Sequence, residues 1–342
     1  MVKAADRAAE IGADVLQVFS DNPTAWRRRS SPPAELGAFR RRLELLRIGP
    51  LAIHASYLIN LAGPDDEFHE KSVAVLTQEL ITAQAYGAAF VNVHIGSHRG
   101  TGPAEGARRA AVTVARAFEA AGERSTDPVL ALENSAGGGS GLGATCDELA
   151  MVLEAIEATG VPGRRIGLCL DTAHLWSAGH DISNPERLDR VLDTFESQIG
   201  LARVAMVHLN DSRSELGSGA DRHQHIGVGQ IGAAGLGAVL RSPRLFHAPC
   251  YLETPGMDDG YDAVNMARCR DLLDGRTLAD LPAEALTMPG SRSRTAPARE
   301  PGDEDEGVDS RGRRRQLARE DASAGRDVET GSGETAGGEA PP

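Results

Sequence analysis

The chain has 342 residues, 41% hydrophobic and 25% charged, enough for one large domain or two ordinary ones. Its formal net charge is −13; the segment from Ser291 onward carries 9 basic and 12 acidic residues, so −10 belongs to the body. An acidic body argues against non-specific nucleic-acid binding over the whole surface but not against a local site, whose field bound cations can dominate. No apolar stretch reaches the roughly 18 to 20 residues of a membrane span.

The chain opens in a helical pattern, "VKAADRAAEIGAD", with no apolar segment of the kind a secretory leader carries. Short apolar runs follow at intervals: "DVLQVFS", "LAIHAS", "FVNVHIGS", "VLALENS", "IGLCLDT", "VAMVHLND" and "PCYLETP". Between them lie helical patterns. "EKSVAVLTQELITAQAYG" closes on Gly87 as a helix C-cap does, and "AEGARRAAVTVARAFEAAG" and "TCDELAMVLEAIEATG" follow. Continuous apolar strands alternating with helices give βαβ units and a parallel sheet. Seven such strands predict an α/β fold of the TIM (β/α)8 type rather than an open doubly wound sheet. That barrel needs eight strands, so the first is expected to be missing, with the true start of the frame upstream. From about Pro282 the composition turns to Gly, Pro, Ser, Glu and Arg, with opposed charge blocks "GDEDEGVD" and "RGRRRQLARE". Such a segment buries too little apolar surface to offset its ordering entropy. The expected organisation is a barrel over 1–284 and a disordered charged tail over 285–342. Cys146, Cys169, Cys250 and Cys269 are far apart and form no C-x-x-C pair, which predicts reduced, mostly buried thiols in an intracellular, cytoplasmic protein.

The strand ends carry the chemistry. Successive runs end at His54, His94, Glu133, Asp171 (with His174 three residues on), His208 and Glu253, and the loop after His208 adds Asp221 and His223. In a barrel these ends converge on one face. Singly, each has a bland reading: a satisfied strand-end histidine, a salt-bridged glutamate, an aspartate that caps a helix. Together they put five histidines and four carboxylates at one rim, with no Arg or Lys in the same positions. Crowded carboxylates repel, and cations relieve that repulsion. Mixed imidazole and carboxylate ligands suit Zn²⁺, and also Mn²⁺ or Fe²⁺. Nine ligands exceed the needs of one ion, so two or three are implied. Paired ions suit in-line displacement at phosphorus, because coordination lowers the pKa of water to about 7. A phosphodiester is the substrate class this predicts.

"HASYLINLA", "VNVHIGSHRG", "LENSAGGGSGLG", "LDTAHLWSAGHD", "VHLNDSRSELGSGADRHQHIGVGQIG" and "LETP" resemble, in the same order, the endonuclease IV family of zinc-dependent apurinic/apyrimidinic endonucleases, from about Val2 to the low 280s. The resemblance implies a monomer acting on duplex DNA with abasic sites, with no membrane partner. It implies a trinuclear Zn²⁺ site that cuts the phosphodiester 5′ to the lesion and leaves a 3′-hydroxyl. His54, His94 and Glu133 would hold one ion, and Glu133, Asp171, His208 and Glu253 a second. His174, Asp221 and His223 would hold the third. The bridging Glu133 becomes the catalytic residue. Tyr57 matches a tyrosine that reaches into the DNA at the lesion. Where the family places an arginine in the loop after its second strand, this chain has Thr24; Arg27 and Arg28, with Arg29 beside them, are the candidate replacements. Ile95 and Ala173 replace a common proline and a common cysteine.

Other signals count for less. "GVGQIG" fits a dinucleotide fingerprint but follows a histidine-bearing loop, not a strand. The loop "SAGGGSGLG" either lets backbone N–H groups approach phosphate or is a long turn. His69, His98, His180, His225 and His247 are read as non-ligands. Two alternatives remain at this point: a single-metal sugar isomerase or epimerase of the xylose-isomerase-like barrels, and a non-catalytic binder of abasic DNA.

Overall fold

The computed structural model describes residues 1–122 and 127–286. In chain order the elements are α1 (Val2–Glu10), β1 (Leu16–Phe19), α2 (Leu36–Leu46), β2 (Leu51–His54), α3 (Asp66–Tyr86), β3 (Phe90–His94), α4 (Pro103–Ala121), β4 (Val129–Glu133) and α5 (Cys146–Glu157). Then come β5 (Ile166–Asp171), α6 (Thr172–Ser177), α7 (Pro185–Gln198), β6 (Val204–His208), β7 (Asp211–Ser212) and β8 (His223–Gln224). The chain continues through α8 (Gly232–Arg241), β9 (Cys250–Tyr251), α9 (Tyr261–Leu273) and α10 (Ala283–Leu286). Among the described residues no helix is long and apolar enough to cross a membrane. All four cysteines are free.

The seven expected runs form one sheet in the order β1-β2-β3-β4-β5-β6-β9, every neighbouring pair parallel. It is a nearly closed barrel of the TIM class. Period-2 alternation splits each strand into two faces. Ile53, Val91, Val93, Leu130, Leu132, Leu168, Leu170 and Val207 join the helices in the main core. Each such side chain, fully buried, contributes on the order of 1.5–3 kcal/mol. The alternate positions Ala52, Ala131, Cys169, Met206 and Tyr251 pack together as a small separate cluster, the barrel's interior layer. Both faces are covered, which is why β5 is buried at all six positions.

The helices begin and end on local signals. Asp65 caps α3, its side chain accepting from the Phe68 N–H, and Gly87 closes it at φ 71°. At α5, Thr145 accepts from the Glu148 N–H while Glu148 accepts from the Gly143 and Ala144 N–H groups.

Among the described residues no backbone pairing joins β1 to β9. Side chains cross that seam instead. Gln17 on β1 reaches Glu253 just beyond β9, Tyr251 Oη donates to the Pro50 carbonyl, and Arg7 on α1 forms a two-point pair with Asp262 on α9. Arg270 also donates to the Gly12 carbonyl. The expected boundary at 284/285 falls inside α10, where Ala285 is fully buried. The expected tail lies, from 287 on, outside the described residues.

Candidate metal centre

The interior layer dictates where the ligands sit. Two residues beyond Ala52, Ala131, Cys169, Met206 and Tyr251, on the same inward face, come His54, Glu133, Asp171, His208 and Glu253. Parallel register sets them side by side: His94 pairs with Glu133, and Asp171 with His208. The nine residues singled out from the sequence are brought to one end of the barrel. Three groups of ligand atoms converge within 4.8 Å: His54, His94 and Glu133; Glu133, Asp171, His208 and Glu253; and Asp171, His174 and His223. Asp221 completes the last, 3.1 Å from His174 Nε2 and 3.2 Å from His223 Nε2. Asp171 both caps and faces the cluster. Its Oδ1 accepts from the His174 N–H at the start of α6, while Oδ2 lies 3.6 Å from His223 Nε2.

Each of four imidazoles has one nitrogen tied to a carbonyl oxygen. His54 Nδ1 meets the Ala55 carbonyl at 2.7 Å, His174 Nδ1 that of Asn134 at 2.9 Å and His223 Nδ1 that of Glu253 at 2.9 Å. His208 Nε2 meets Gln17 Oε1 at 3.0 Å. The other nitrogen points inward. His54 Nε2, His208 Nδ1, His223 Nε2 and Glu133 Oε1 are buried, yet none has a well-aligned hydrogen-bond partner. Orphaned buried polar atoms are costly unless something charged sits among them. The donor set of imidazole nitrogens and carboxylate oxygens, anchored from behind, fits divalent cations.

Charge tells the same story. Burial opposes ionisation of Glu133, but His94 and His208 beside it hold its carboxyl well below 4.5. Asp171 is also lowered against its burial, by His174 and His223. Burial raises Glu253, with Glu133 and Asp171 adding repulsion. Burial drives His54 down to about 3, which leaves its imidazole neutral with a lone pair to offer. His208 goes the other way: burial disfavours its charge, but Cys169, Glu253 and Glu133 raise it well above 6.5. The shifts differ in cause: burial dominates at His54 and Glu253, while neighbouring charge overrides it at Glu133, Asp171 and His208.

The family profile described as "Xylose isomerase-like TIM barrel" matches residues 5–272. The probable endonuclease 4 of Methanoculleus marisnigri is 41% identical over 270 residues, covering 79% of this chain and 94% of that protein. The crystal structure of endonuclease IV from Thermus thermophilus superposes with a TM-score of 0.70 at 39% identity, over 80% of this chain and 94% of that one. The chain belongs to the endonuclease IV family. It is therefore a nuclease, of a metal-dependent family concerned with DNA repair. A D-tagatose 3-epimerase-like protein also superposes, with a TM-score of 0.57 at 16% identity over 79% of this chain and 90% of that one. That likeness is one of fold alone.

Around the centre of this endonuclease IV family member, Tyr57 is half-buried, its ring 5.1 Å from that of His54. Phe19, at the end of β1, stands edge-on to Tyr57 at 5.3 Å and is 39% exposed. Sequence reasoning missed Phe19, although it occupies the same strand-end position as the ligands. Thr24 is held in a turn by Asn22 Oδ1, and Arg27 is exposed. Arg28, by contrast, is mostly buried: its side chain is 9% exposed, its Nη2 lies 3.3 Å from the buried Glu79, and its Nη1 donates to the Asn22 carbonyl, so it braces the loop.

Sequence reasoning also missed four amides behind the carboxylates. Asn92 donates to Glu133 Oε2 at 2.7 Å, and Asn210 to Asp171 Oδ2 at 2.7 Å. Asn134 binds the Asp171 backbone, and Gln17 donates to Glu253 Oε1 at 3.0 Å. The discounted motifs have structural roles. In "GVGQIG" the N–H groups of Gly229, Ile231 and Gly232 donate to Asp211, which fills the turn. In the glycine loop a Cβ on Gly138 would lie 2.5 Å from the Gly219 carbonyl oxygen, so the loop packs against the segment that carries Asp221. The five remaining histidines each bind elsewhere: His69 to Thr113, His98 to the Gly100 and Gly102 N–H groups, His180 to Ala144, His225 to Asn265 and Ala285, and His247 to Leu201.

Proposed function

We propose that this nuclease hydrolyses the phosphodiester 5′ to abasic sites in duplex DNA, leaving a 3′-hydroxyl, with three Zn²⁺ ions held by His54, His94, Glu133, Asp171, His174, His208, Asp221, His223 and Glu253. The observation that carries this reading is that Glu133 belongs to two ligand groups at once, with a third group adjoining through Asp171. A sugar isomerase or epimerase using one ion has no need of His54, His94, His174, Asp221 and His223 together. Ions in such a site supply Lewis acidity and a nucleophilic water at neutral pH. The chain's own residues do the rest. Glu133, held ionised by its histidines and fixed by Asn92, spans two of the sites and sets their spacing. Tyr57 and Phe19 wall one side with aromatic faces suited to a sugar that lacks its base. The exposed Arg27 offers charge to the phosphate backbone.

The test pairs elemental analysis of the purified protein with a nicking assay on an abasic duplex without added magnesium. We expect zinc in every group, cleavage, and a terminus that a polymerase extends. Glu133→Gln should cut at least roughly 100-fold more slowly, about 2.7 kcal/mol of barrier. A parent rate in Glu133→Gln, or a single ion per chain, overturns the reading.

A further inference from the structure

We infer that Gln17 is a positioning residue for the ion at Glu133, Asp171, His208 and Glu253, acting through its side-chain amide on two of those four groups; the inference rests on the metal reading above. Gln17 lies on β1, an edge strand, while Glu253 follows β9, the opposite edge. Its amide crosses the seam with both ends engaged: Nε2 lies 3.0 Å from Glu253 Oε1, and Oε1 lies 3.0 Å from His208 Nε2. The chemistry permits one arrangement. A carboxylate only accepts, so the amide NH₂ faces Glu253 and the amide oxygen faces His208. That oxygen only accepts, so His208 Nε2 carries the hydrogen and donates it. His208 Nδ1 is then the atom turned to the cluster. It lies 3.3 Å from Glu253 Oε2, 3.5 Å from Glu133 Oε1 and 3.8 Å from Asp171 Oδ2. One glutamine thus selects the ligating nitrogen of a histidine and fixes the second carboxylate at the same ion. His54, His174 and His223 use backbone carbonyls for that purpose. His208, on β6 one strand in from the β9 edge, draws its acceptor from β1 across the seam.

The test uses the full-length protein, its zinc content and the rate at which each ion passes to a chromophoric chelator. Gln17→Met keeps the length and bulk of the side chain and removes both hydrogen bonds. We expect one ion to leave 10- to 100-fold faster than in the parent, the remainder at parent rates. The visible spectrum of the cobalt-substituted variant should change with it. Gln17→Asn, an amide too short to reach both partners, should behave alike and covers the case in which Gln17→Met does not fold. If Gln17 only fills the seam, the melting temperature of the metal-stripped protein falls while release rates and cobalt spectrum stay at parent values, and the inference is overturned. If the parent itself holds no ion, the metal reading falls and this inference with it; parent ions with unaltered release in both variants sink the role of Gln17 alone.

Discussion

Glu133 is a buried carboxylate among other buried carboxylates, and a single neutral side chain decides how it is aimed. Asn92 is fully buried and lies on the same inward face of β3 as His94; its Nδ2 donates to Glu133 Oε2 at 2.7 Å. Removing it leaves Glu133 without that donor, so Asn92→Ala should lower the cleavage rate about 10- to 100-fold. Asn92→Asp keeps the shape but sets a second carboxylate against the first, and like charges in a buried site cannot both ionise cheaply. It should cut more slowly still at neutral pH. Rates measured side by side decide this: if Asn92→Asp equals the parent, the amide is not what orients Glu133. The asymmetry between ligand and support also explains what could be read beforehand. Charged and imidazole side chains at apolar strand ends violate the strand's own pattern, so His54, His94, Glu133, Asp171, His208 and Glu253 stood out in the sequence, and His174, Asp221 and His223 were read from the segments that follow two of those ends. Asn92, Asn134, Asn210 and Gln17 are neutral and common, and only their contacts mark them. The pair of Arg28 with Glu79 was not legible either, because the two are remote in sequence, and a buried ion pair between a loop and a helix leaves no periodic trace.

At the scale of elements, the seven strands were legible because burial on both faces makes each a continuous apolar run. The hairpin of β7 and β8, which frames Asp221 and His223, was not. Each of its strands has two residues, too few for any period; β7 packs against α6, and the segment between the two strands meets the glycine loop at Gly219. The seam was expected from the strand count, but not what spans it. There α1 is tied to α9 by Arg7 and Asp262, with contacts of 2.7 and 2.9 Å. The hydrogen bond from Arg7 holds the Asp262 carboxyl below its ordinary 3.8. A carboxyl lowered by folding stabilises the fold fully above its unfolded value, and the contribution is lost as pH falls toward the lower folded value. Asp262→Asn should therefore melt below the parent at pH 6, and the gap should narrow as pH drops past about 3.9. Melting curves of both proteins from pH 6 to pH 3 check it. A gap that stays constant across that range would mean that the pair adds shape and no charge.

At the scale of the whole molecule, the acidic balance and the candidate centre bear on each other. The chain carries −13 overall, and among the described residues Glu133, Asp171 and Glu253 gather at the end of the barrel, where Glu133 and Asp171 are almost wholly buried and unscreened by water. Buried charges of one sign destabilise the state that collects them unless cations of the other sign bind there. Binding to the folded state alone stabilises it by about 2.7 kcal/mol per site at a hundred times the dissociation constant. For a domain of this size each kcal/mol moves the midpoint by about 2–4 °C. Stripping the protein with a chelator at neutral pH should therefore lower its melting temperature by at least about 5–10 °C, and stoichiometric Zn²⁺ should restore it. Calcium should not, since it seeks six to eight oxygen ligands and the imidazoles supply nitrogen. Glu133→Gln, which removes the carboxylate shared between two ligand groups, should show a smaller difference between stripped and loaded forms than the parent. Calorimetry of the four samples settles the matter: equal midpoints for stripped and loaded parent protein would mean that the ring of carboxylates is stabilised by the fold alone and that no cation is part of it.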